Sequence, residues 1–427
     1  MDIANADRLA AAQYLPLRKV AAVGVGNALE FYDFITFSFF SIQIGHNFFP
    51  ASQTSHGLLL TLATFGVGFL TRPLGGFLIG NYGDRAGRKP AMMLSFSLMG
   101  FAILGLALTP SYARIGVAAP ILLLAFRLLQ GLALGGQVGP STAFLVEAAP
   151  PLRRGLYVAL QFATQDSAVL AAGLVGFVLS SLLPPEALDA WGWRLALLLG
   201  TAVVPLGLYM RASLPETFSH SENATAAPAE RHVPLRLIVL ALMMLGAGTI
   251  ANYALIYLTT YAQDSLHLAT SVAFAATIVN GVFAVFGDFA SGMLSDRVGR
   301  KPLMLSSVTL LILFVVPSFI AMEHFRSAVV LYAATAVLTL LLSGTIGPAL
   351  VTITETLPRA VRSGALSLIY AVAIAVAGGS TQFTIKWLSD ATGNPLAPAW
   401  YVTGAMVIGG VAMLIVAESA PVRTARR

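Results

Sequence analysis

The chain has 427 residues, of which 57% are hydrophobic and 10% are charged, and its mean hydropathy is +0.80. A chain with so few charged residues cannot cover the surface of a soluble globule of that size with polar groups. This excludes a water-soluble protein and indicates a membrane protein. The absence of cysteine excludes disulfides and thiol chemistry. The net charge of +6 lies mostly in loops between apolar runs, so it does not indicate nucleic-acid binding.

Twelve long apolar runs follow one another along the chain. A helix needs about 20 mostly apolar residues to span a bilayer. We therefore predict an all-α polytopic membrane protein with twelve transmembrane helices. The predicted spans are 20–45, 57–80, 91–109, 116–146, 155–182 and 193–211 in the first half, and 234–261, 270–294, 302–321, 328–353, 363–388 and 398–418 in the second.

A polar segment at 212–233 separates the two sets of spans. It contains Pro215, Pro228 and several charged side chains, which is typical of a linker. It predicts a cytoplasmic linker between an N-terminal six-helix bundle at 1–211 and a C-terminal six-helix bundle at 234–427 with a short cytoplasmic tail. We expect no cleavable signal peptide, because the first apolar run is long enough to remain in the membrane.

A polar loop in the first half recurs in the second. Residues 80–90 read Gly-Asn-Tyr-Gly-Asp-Arg-Ala-Gly-Arg-Lys-Pro, and residues 292–302, which lie 212 positions later, read Gly-Met-Leu-Ser-Asp-Arg-Val-Gly-Arg-Lys-Pro. A second pair follows the same order, since a Glu and an Arg seven positions apart occur before the fifth span and before the eleventh. The repetition predicts two pseudo-symmetric bundles.

Lysine and arginine are unevenly distributed among the loops. If the amino terminus is cytoplasmic, 19 of the 25 fall in the tails and in the loops that join even-numbered spans to odd-numbered ones. Because positively charged loops stay in the cytoplasm, both termini are predicted to be cytoplasmic.

Several motifs resemble those of one transporter family. The two Asp-Arg-x-Gly-Arg-Lys loops, the six-plus-six plan and Arg-Leu-Leu-Gln-Gly at 127–131 resemble the major facilitator superfamily of secondary transporters. Gly-Asn-Ala-Leu-Glu-Phe-Tyr-Asp-Phe at 26–34, Gly-Phe-Leu-Thr-Arg-Pro-Leu-Gly at 68–75 and Thr-Gly-Asn-Pro-Leu-Ala-Pro at 392–398 are similar to its metabolite:proton symporter branch, above all to citrate and tricarballylate carriers. The resemblance covers nearly the whole chain and does not specify the cargo.

Each repeated loop places a carboxylate at a helix end. Asp84 can pair with Arg88 one turn later and can face the positive amino end of a helix from the other half. Positive-inside topology alone would explain the arginines but not the aspartates. The resemblance implies that these loops act as gates. The predicted gating residues are Asp84, Arg85, Arg88, Glu147, Arg154, Asp296, Arg297, Arg300, Glu355 and Arg362.

Two acidic residues lie within the first predicted helix. Glu30 and Asp33 are three positions apart and share a face, with Asn27 one turn earlier. Carboxylates this close in a low-dielectric cavity repel each other, which favours proton binding, so the pair is a predicted proton carrier. The open alternative is a structural pair neutralised by Arg72 or Arg127.

Gln137 departs from the pattern that the resemblance implies, because the symporter branch commonly has a glutamate there. An amide cannot carry a proton at physiological pH. Asp166, which follows Gln161 and Gln165 on the fifth predicted helix, is a candidate to take over a coupling role.

Arg72 and Arg127 lie within predicted helices, and Arg72 is about 18 Å from the cytoplasmic end at a rise of 1.5 Å per residue. A buried cation facing a cavity suits an anionic cargo, although each arginine could instead be held by an internal acid. Asp288 could be a buried charge or could lie near the cytoplasmic mouth. Further candidates for substrate contact, or for hydrogen bonds between helices, are Asn27, Gln137, Gln161, Gln165, Tyr253, Tyr257, Tyr370 and Gln382.

Glycines mark two of the predicted helices. Gly66, Gly68, Gly75, Gly76 and Gly80 crowd the second span, and Gly378 with Gly379 is predicted to interrupt the eleventh. Small residues let helices approach closely, as alternating access by rocking of two halves requires.

No catalytic constellation appears in the sequence. None of the six histidines has metal-ligand spacing with another, and neither a phosphate-binding loop nor a nucleophile elbow is present. We therefore predict that the protein is not an enzyme and uses no cofactor. We predict proton-coupled symport, that is uptake, of a small organic anion such as citrate, with sodium open as an alternative coupling ion.

Other functions stay open at this point. The same fold could carry a zwitterion such as proline or betaine, or a cyclic acid such as shikimate, or could export drugs. A non-transporting membrane receptor is a further alternative, with no sizeable soluble signalling domain to support it. The predicted partners are the organic acid and the lipid bilayer, without nucleic acid. The predicted location is the bacterial inner membrane, with the monomer as functional unit.

Overall fold

The protein is built from α-helices. The computed structural model describes residue 28 and residues 31–49, 54–86, 88–135, 142, 145–146, 149–201, 233–358 and 361–424, and this part of the chain contains no β-strand. Among these residues, eight helices are long and apolar enough to cross a bilayer, and two shorter apolar helices cover Met93–Leu108 and Ala118–Leu134. Phe77, Phe101 and Phe286 are 64–65% exposed, as expected for side chains that contact lipid.

The helices of the first half follow the predicted spans. They are α1 at 31–39, α2 at Ser41–Phe48, α3 at Thr54–Leu70, α4 at Arg72–Ala86, α5 at Arg88–Leu108, α6 at Ala118–Leu134, α7 at Arg154–Leu182 and α8 at Trp193–Thr201. The first span comprises α1 and α2, and the second comprises α3 and α4. The predicted first, fourth and sixth spans continue beyond the described residues.

The helices of the second half are α9 at Leu235–Asp264, α10 at Thr270–Val298, α11 at Arg300–Phe325, α12 at Ala328–Thr356, α13 at Arg362–Ala373, α14 at Gly379–Thr392, α15 at Ala397–Ile415 and the short α16 at Pro421–Thr424. Most of them extend beyond the apolar runs that predicted them, whereas α15 ends three residues before the end of its predicted span. The added turns are mostly polar, and hydropathy alone does not indicate polar helix ends. Gly299 joins α10 to α11 with a φ of +114°, which few other residues adopt.

Several spans are interrupted within the described residues, and the first span breaks at Phe40 between α1 and α2. In the second, α3 ends at Leu70 and α4 begins at Arg72, because Pro73 has no amide hydrogen and its ring clashes with the carbonyl four residues earlier. In the eleventh, a π-helical turn over Ile374–Gly378 joins α13 to α14, which confirms the predicted interruption. Such turns occur frequently at functional sites.

The two halves meet through closely packed glycines. A Cβ atom on Gly66 of α3 would lie 2.0 Å from the carbonyl oxygen of Gly379 of α14. A Cβ atom on Gly155 of α7 would lie 2.7 Å from the carbonyl oxygen of Gly292 of α10. Backbones approach this closely only where side chains are absent. These crossings hold the halves together on two sides of a central space.

The apolar core of the first half continues across the interface. Phe34, Phe65 and Phe69 are buried in this core, and Tyr253 and Phe274 of the second half pack into the same cluster. The aromatic core therefore forms part of the wall between the halves.

Candidate functional site

A cavity of about 60 Å³ lies between the two halves. One water needs roughly 10–15 Å³ of such space, so the cavity has room for several waters. Its wall includes Phe31, Phe162, Gln165 and Asp166 of the first half and Asn252, Tyr253, Asn280, Asp288, Thr339, Ser343 and Tyr370 of the second. No lysine, arginine or histidine is among the described residues that line it.

Two carboxyl groups meet at this cavity. Asp166 of α7 and Asp288 of α10 are within hydrogen-bonding reach of each other, and the Ser343 hydroxyl of α12 lies near Asp288. Asp288 is buried, with 5% of its surface exposed. Two carboxyl groups can share a hydrogen bond only when one of them carries a proton.

Two arginines lie beside the cavity, among phenylalanine rings. The Cζ atom of Arg72 is 4.5 Å from the ring centre of Phe34 and 4.3 Å from that of Phe69. The Cζ atom of Arg127 is 4.5 Å from the ring centre of Phe34 and 4.2 Å from that of Phe37, and Arg127 is fully buried. Ring faces attract cations, so these contacts stabilise the guanidinium groups away from water.

We call this group the arginine–aromatic cluster, and it comprises Arg72, Arg127, Phe34, Phe37, Phe65 and Phe69. Tyr253 connects it to the cavity, since Tyr253 lines the cavity and packs on Phe69 at 5.3 Å and on Phe65 at 5.9 Å between ring centres. Aromatic side chains therefore separate the two arginines from the cavity in this conformation.

A glutamine joins Arg127 to Asp33. Nη1 of Arg127 donates to Oε1 of Gln130 at 2.8 Å, and Nε2 of Gln130 donates to Oδ2 of Asp33 at 2.6 Å. Asp33 is 1% exposed, and its Oδ1 has no hydrogen-bond partner among the described residues. The buried acid thus faces its countercharge through an amide, with one oxygen still able to accept a hydrogen bond or bind a proton.

The end of the bundle at which the Asp-Arg-x-Gly-Arg loops lie is called the gate end, and the other is the opposite end. At the opposite end, the hydroxyls of Ser41 in α2 and Thr260 in α9 are 3.2 Å apart. Deeper on the same side, Nε2 of Gln382 in α14 lies 2.8 Å from the hydroxyl oxygen of Ser38 in α1. Both contacts join the two halves and close the cavity toward the opposite end.

At the gate end, Asp296 of the second half caps a helix of the first. Its carboxylate accepts hydrogen bonds from the backbone N–H groups of Gly155 at 2.9 Å and Leu156 at 3.0 Å, in the first turn of α7. The carboxylate also faces the positive end of that helix. Arg300, one turn after Asp296, donates to the same carboxylate. Contacts between described residues therefore join the two halves at the gate end as well.

Glu355 adds a charged contact between the halves at the gate end. Its Oε1 lies 3.5 Å from Nη1 of Arg154 in the first half and 3.5 Å from Nη2 of Arg300 in its own half. The Ser419 hydroxyl donates to its other oxygen at 2.6 Å. Glu355 is 4% exposed at its side chain, so these contacts are shielded from solvent.

The segment after α15 supports this end. Glu418 accepts hydrogen bonds from the backbone N–H groups of Arg300 and Lys301, both at 3.1 Å, and so caps the amino end of α11. Nε of Arg423 donates to the carbonyl of Val298 at 2.9 Å. Both ends of the Gly299 turn are therefore held by this segment.

The sequence model of the Major Facilitator Superfamily matches residues 23–381. The chain belongs to the major facilitator superfamily. It is 31% identical to a citrate-proton symporter of Klebsiella pneumoniae, over 91% of this chain and 89% of that protein. It is 33% identical to an alpha-ketoglutarate permease of Escherichia coli (strain K12), over 93% of this chain and 92% of that protein. These relatives confirm the predicted resemblance to the citrate-like branch.

A third relative of this chain is named for a different cargo. The chain is 31% identical to the glycine betaine/proline/ectoine/pipecolic acid transporter OusA of Dickeya dadantii (strain 3937), over 95% of this chain and 84% of that protein. Among solved structures, a D-xylose-proton symporter matches with a TM-score of 0.77 and 19% identity, over 95% of this chain and 98% of the other. This likeness confirms the predicted fold of twelve transmembrane helices in two six-helix bundles.

Most of the predicted site residues that the structure describes lie in three places. Gln165, Asp166, Tyr253 and Tyr370 line the cavity. Arg72, Arg127 and Asp33 lie in or beside the arginine–aromatic cluster. The gate end holds Arg154, Asp296, Arg300 and Glu355.

Other predicted residues make different contacts. Gln161 accepts a hydrogen bond from the Thr142 hydroxyl at 2.8 Å, and Gln382 belongs to the contact with Ser38. Tyr257 is buried at 2% exposure but is not among the residues that line the cavity. At the gate end, Arg297 is exposed, whereas Arg362 is buried and donates to the carbonyl of Leu357 at 3.2 Å. Asn27, Glu30, Gln137 and Glu147 lie outside the described residues, as do the side chains of Asp84, Arg85 and Arg88.

The sequence interpretation missed three contributors. Gln130 lies three positions after Arg127, a spacing that places both on one helix face and that could have indicated their contact. Ser343 is one of many hydroxyl residues in apolar helices, and no sequence signal singles it out. Glu418 follows the last apolar run, where a lone acid gives no indication of its partner helix.

Proposed function

We propose that this protein is a proton-coupled symporter that takes up a small organic acid, first of all a di- or tricarboxylate such as citrate, by alternating access. The observation that carries the proposal is a cavity between two helical halves that contact each other at both ends of the bundle. Rocking of the halves about a midplane site would break the contacts at one end at a time and give a solute access to the cavity.

Arg72 is our candidate for binding a carboxylate of the cargo. A planar guanidinium can bind a carboxylate through two hydrogen bonds. Arg72 also stands at the amino end of α4, where the helix dipole favours an anion. Phe69 and Tyr253 lie between it and the cavity, so we propose that these rings move when the cargo enters.

Asp33 is our candidate for binding the coupling proton. Protonation would remove the negative charge that Arg127 faces through Gln130, and would leave the guanidinium with an uncompensated positive charge. An anion could then compensate that charge, which links proton binding to cargo binding. Glu30 shares this role in our proposal, as the neighbouring carboxyl in the sequence.

A zwitterion such as betaine or proline is the second candidate cargo. The cavity wall has two carboxyl groups and the rings of Phe31, Tyr253 and Tyr370, without a basic side chain among its described residues. Aromatic rings and carboxylates together suit a cationic ammonium group. The name of the betaine-transporting relative in Dickeya dadantii is consistent with this cargo.

Transport into proteoliposomes tests the proposal and separates the two cargoes. Labelled citrate, 2-oxoglutarate, shikimate, proline and betaine are offered with an acidic exterior and without sodium. We expect a di- or tricarboxylate to accumulate, and a protonophore to abolish its accumulation. Asp33→Asn is expected to retain exchange of labelled for unlabelled acid but to lose accumulation driven by the pH gradient. Accumulation of betaine or proline alone would favour the second candidate, and no accumulation of any compound would contradict both.

We further propose the bacterial inner membrane as the location, with both termini in the cytoplasm and the gate end on the cytoplasmic side. The halves at 1–211 and 234–427 are the proposed moving bodies, with 212–233 as their linker. The proposed partners are the organic acid and the lipid bilayer, and the proton is the coupling ion without a further cofactor.

A further inference from the structure

The carboxyl pair Asp166–Asp288 joins the two moving halves at the cavity. Asp166 belongs to α7 of the first half and Asp288 to α10 of the second, and the two groups are within hydrogen-bonding reach. These helices contact each other from Gly155 and Gly292 at the gate end to Gly176 and Phe274 at the opposite end. Any rocking motion of the halves must therefore change the distance between the two carboxyl groups.

The described residues that line the cavity around the pair include no positively charged side chain. The polar groups that line it with the pair include Ser343 of α12, Tyr370 of α13, Tyr253 and Asn252 of α9, and Gln165 of α7. The arginine–aromatic cluster lies behind Tyr253, outside the cavity wall. Two ionised carboxylates in contact in such a place would repel each other strongly, so the closed arrangement requires a proton or another cation between them.

We propose that Asp166 and Asp288 share one proton, and that this shared proton holds α7 against α10 in this conformation. Loss of the proton leaves two facing carboxylates, whose repulsion favours separation of the halves. This site is distinct from Asp33, so the protein has two places for coupling protons. The inference rests on the proposed proton-coupled transport for its role in the cycle, but the existence of the shared proton does not depend on the cargo.

Infrared spectroscopy of the protein in lipid vesicles tests the shared proton directly. The C=O stretching band of a protonated carboxyl group is recorded over a pH series without any transported compound. We expect a band in the wild-type protein near neutral pH that disappears at alkaline pH. The double variant Asp166→Asn/Asp288→Asn is expected to lose this band, whereas the control Asp33→Asn keeps it.

Three results would overturn the proposal. One is a wild-type spectrum without the band at neutral and mildly acidic pH. Another is a double variant that keeps the whole of the wild-type band, with no component lost, which would place the proton elsewhere. The third is a band that sodium chloride removes at constant pH while potassium chloride does not, which would make the pair a sodium site.

A single variant provides a second test in case the double variant does not fold. Ser343→Ala removes the hydroxyl that lies near Asp288 and keeps both carboxyl groups. It is expected to shift the pH at which the band disappears, and an unchanged pH would contradict the assignment. Because the infrared measurement uses no cargo, a missing band rejects the shared proton, whereas a failure of carboxylate uptake with the band present rejects only the proposed function.

Discussion

The guanidinium of Arg72 lies between the rings of Phe34 and Phe69, with its Cζ atom 4.5 Å and 4.3 Å from their centres. Lysine keeps the charge but loses the planar fork and the stacking. Arg72→Lys is therefore expected to raise the KM for a transported carboxylate about tenfold, which corresponds to ~1.4 kcal/mol. Initial uptake rates measure this effect, and Arg114→Lys, at an exposed arginine, is the matched control. An unchanged KM in Arg72→Lys would reject the anion site.

A second residue-scale prediction concerns pH at the opposite end, beyond the predicted first span. Nδ1 of His46 lies 3.0 Å from Oδ2 of Asp189, and this hydrogen bond raises the pKa of His46 above its ordinary value. Because the folded-state pKa of His46 is raised, the contribution of this contact to folding stability is complete below about pH 6.5. It is lost as the pH rises through the folded-state pKa. The side chains are 55% and 41% exposed, so solvent screening keeps the contribution small, below about 1 kcal/mol.

The replacement His46→Gln checks the sign of this effect. The Tm of the wild-type protein should exceed that of His46→Gln at acidic pH, and the difference should narrow as the pH becomes alkaline. A difference that stays constant across this range, or that widens with pH, would contradict the assigned direction. Asp189→Asn should show the same pH dependence, because it removes the partner of the same contact.

At the scale of elements, the crossing of α3 and α14 depends on two glycines. Gly66→Ala would place a methyl group 2.0 Å from the carbonyl oxygen of Gly379, so the helices must move apart. Overpacking of this kind costs roughly 1–3 kcal/mol. We expect a lower Tm in thermal unfolding and slower uptake. Gly404→Ala is the matched control, because its Cβ would meet nothing within 4 Å. Equal Tm values for both variants would contradict the tight crossing.

The order of the helices was predictable from the sequence because hydropathy and charge are local properties. The break beside Arg72 is also local, since it follows from Pro73. The pairing of Asp166 with Asp288 was not predictable, because it depends on how α7 and α10 pack, and their positions in the sequence give no register for that contact.

The candidate site, too, was predictable from the sequence only in part. Polar residues in apolar helices indicated that Arg72 and Tyr253 take part in a site, because isolated polar groups at membrane depth must find partners. The sequence did not indicate that Tyr253 and Phe69 stand between Arg72 and the cavity. Such a separation follows from side-chain packing across the interface between the halves, which no local pattern encodes.

For the whole molecule, the contacts at the two ends impose a simple condition on transport. The contact of Ser41 with Thr260 joins the halves at the opposite end, and Asp296 joins them at the first turn of α7 at the gate end. The cavity lies between these two contacts. Alternating access therefore requires that the contact of Ser41 with Thr260 break and re-form in every transport cycle.

A reversible disulfide at this contact tests that requirement most directly. The chain has no cysteine, and the hydroxyl oxygens of Ser41 and Thr260 are 3.2 Å apart, so the double variant Ser41→Cys/Thr260→Cys brings two thiols close enough to bond. We measure uptake of the labelled compound that proteoliposomes accumulate best, before oxidation, after oxidation and after reduction, with each single variant as control. The account predicts that oxidation reduces uptake to background in the double variant only, and that reduction restores it. Undiminished uptake by fully cross-linked protein would contradict alternating access through this contact.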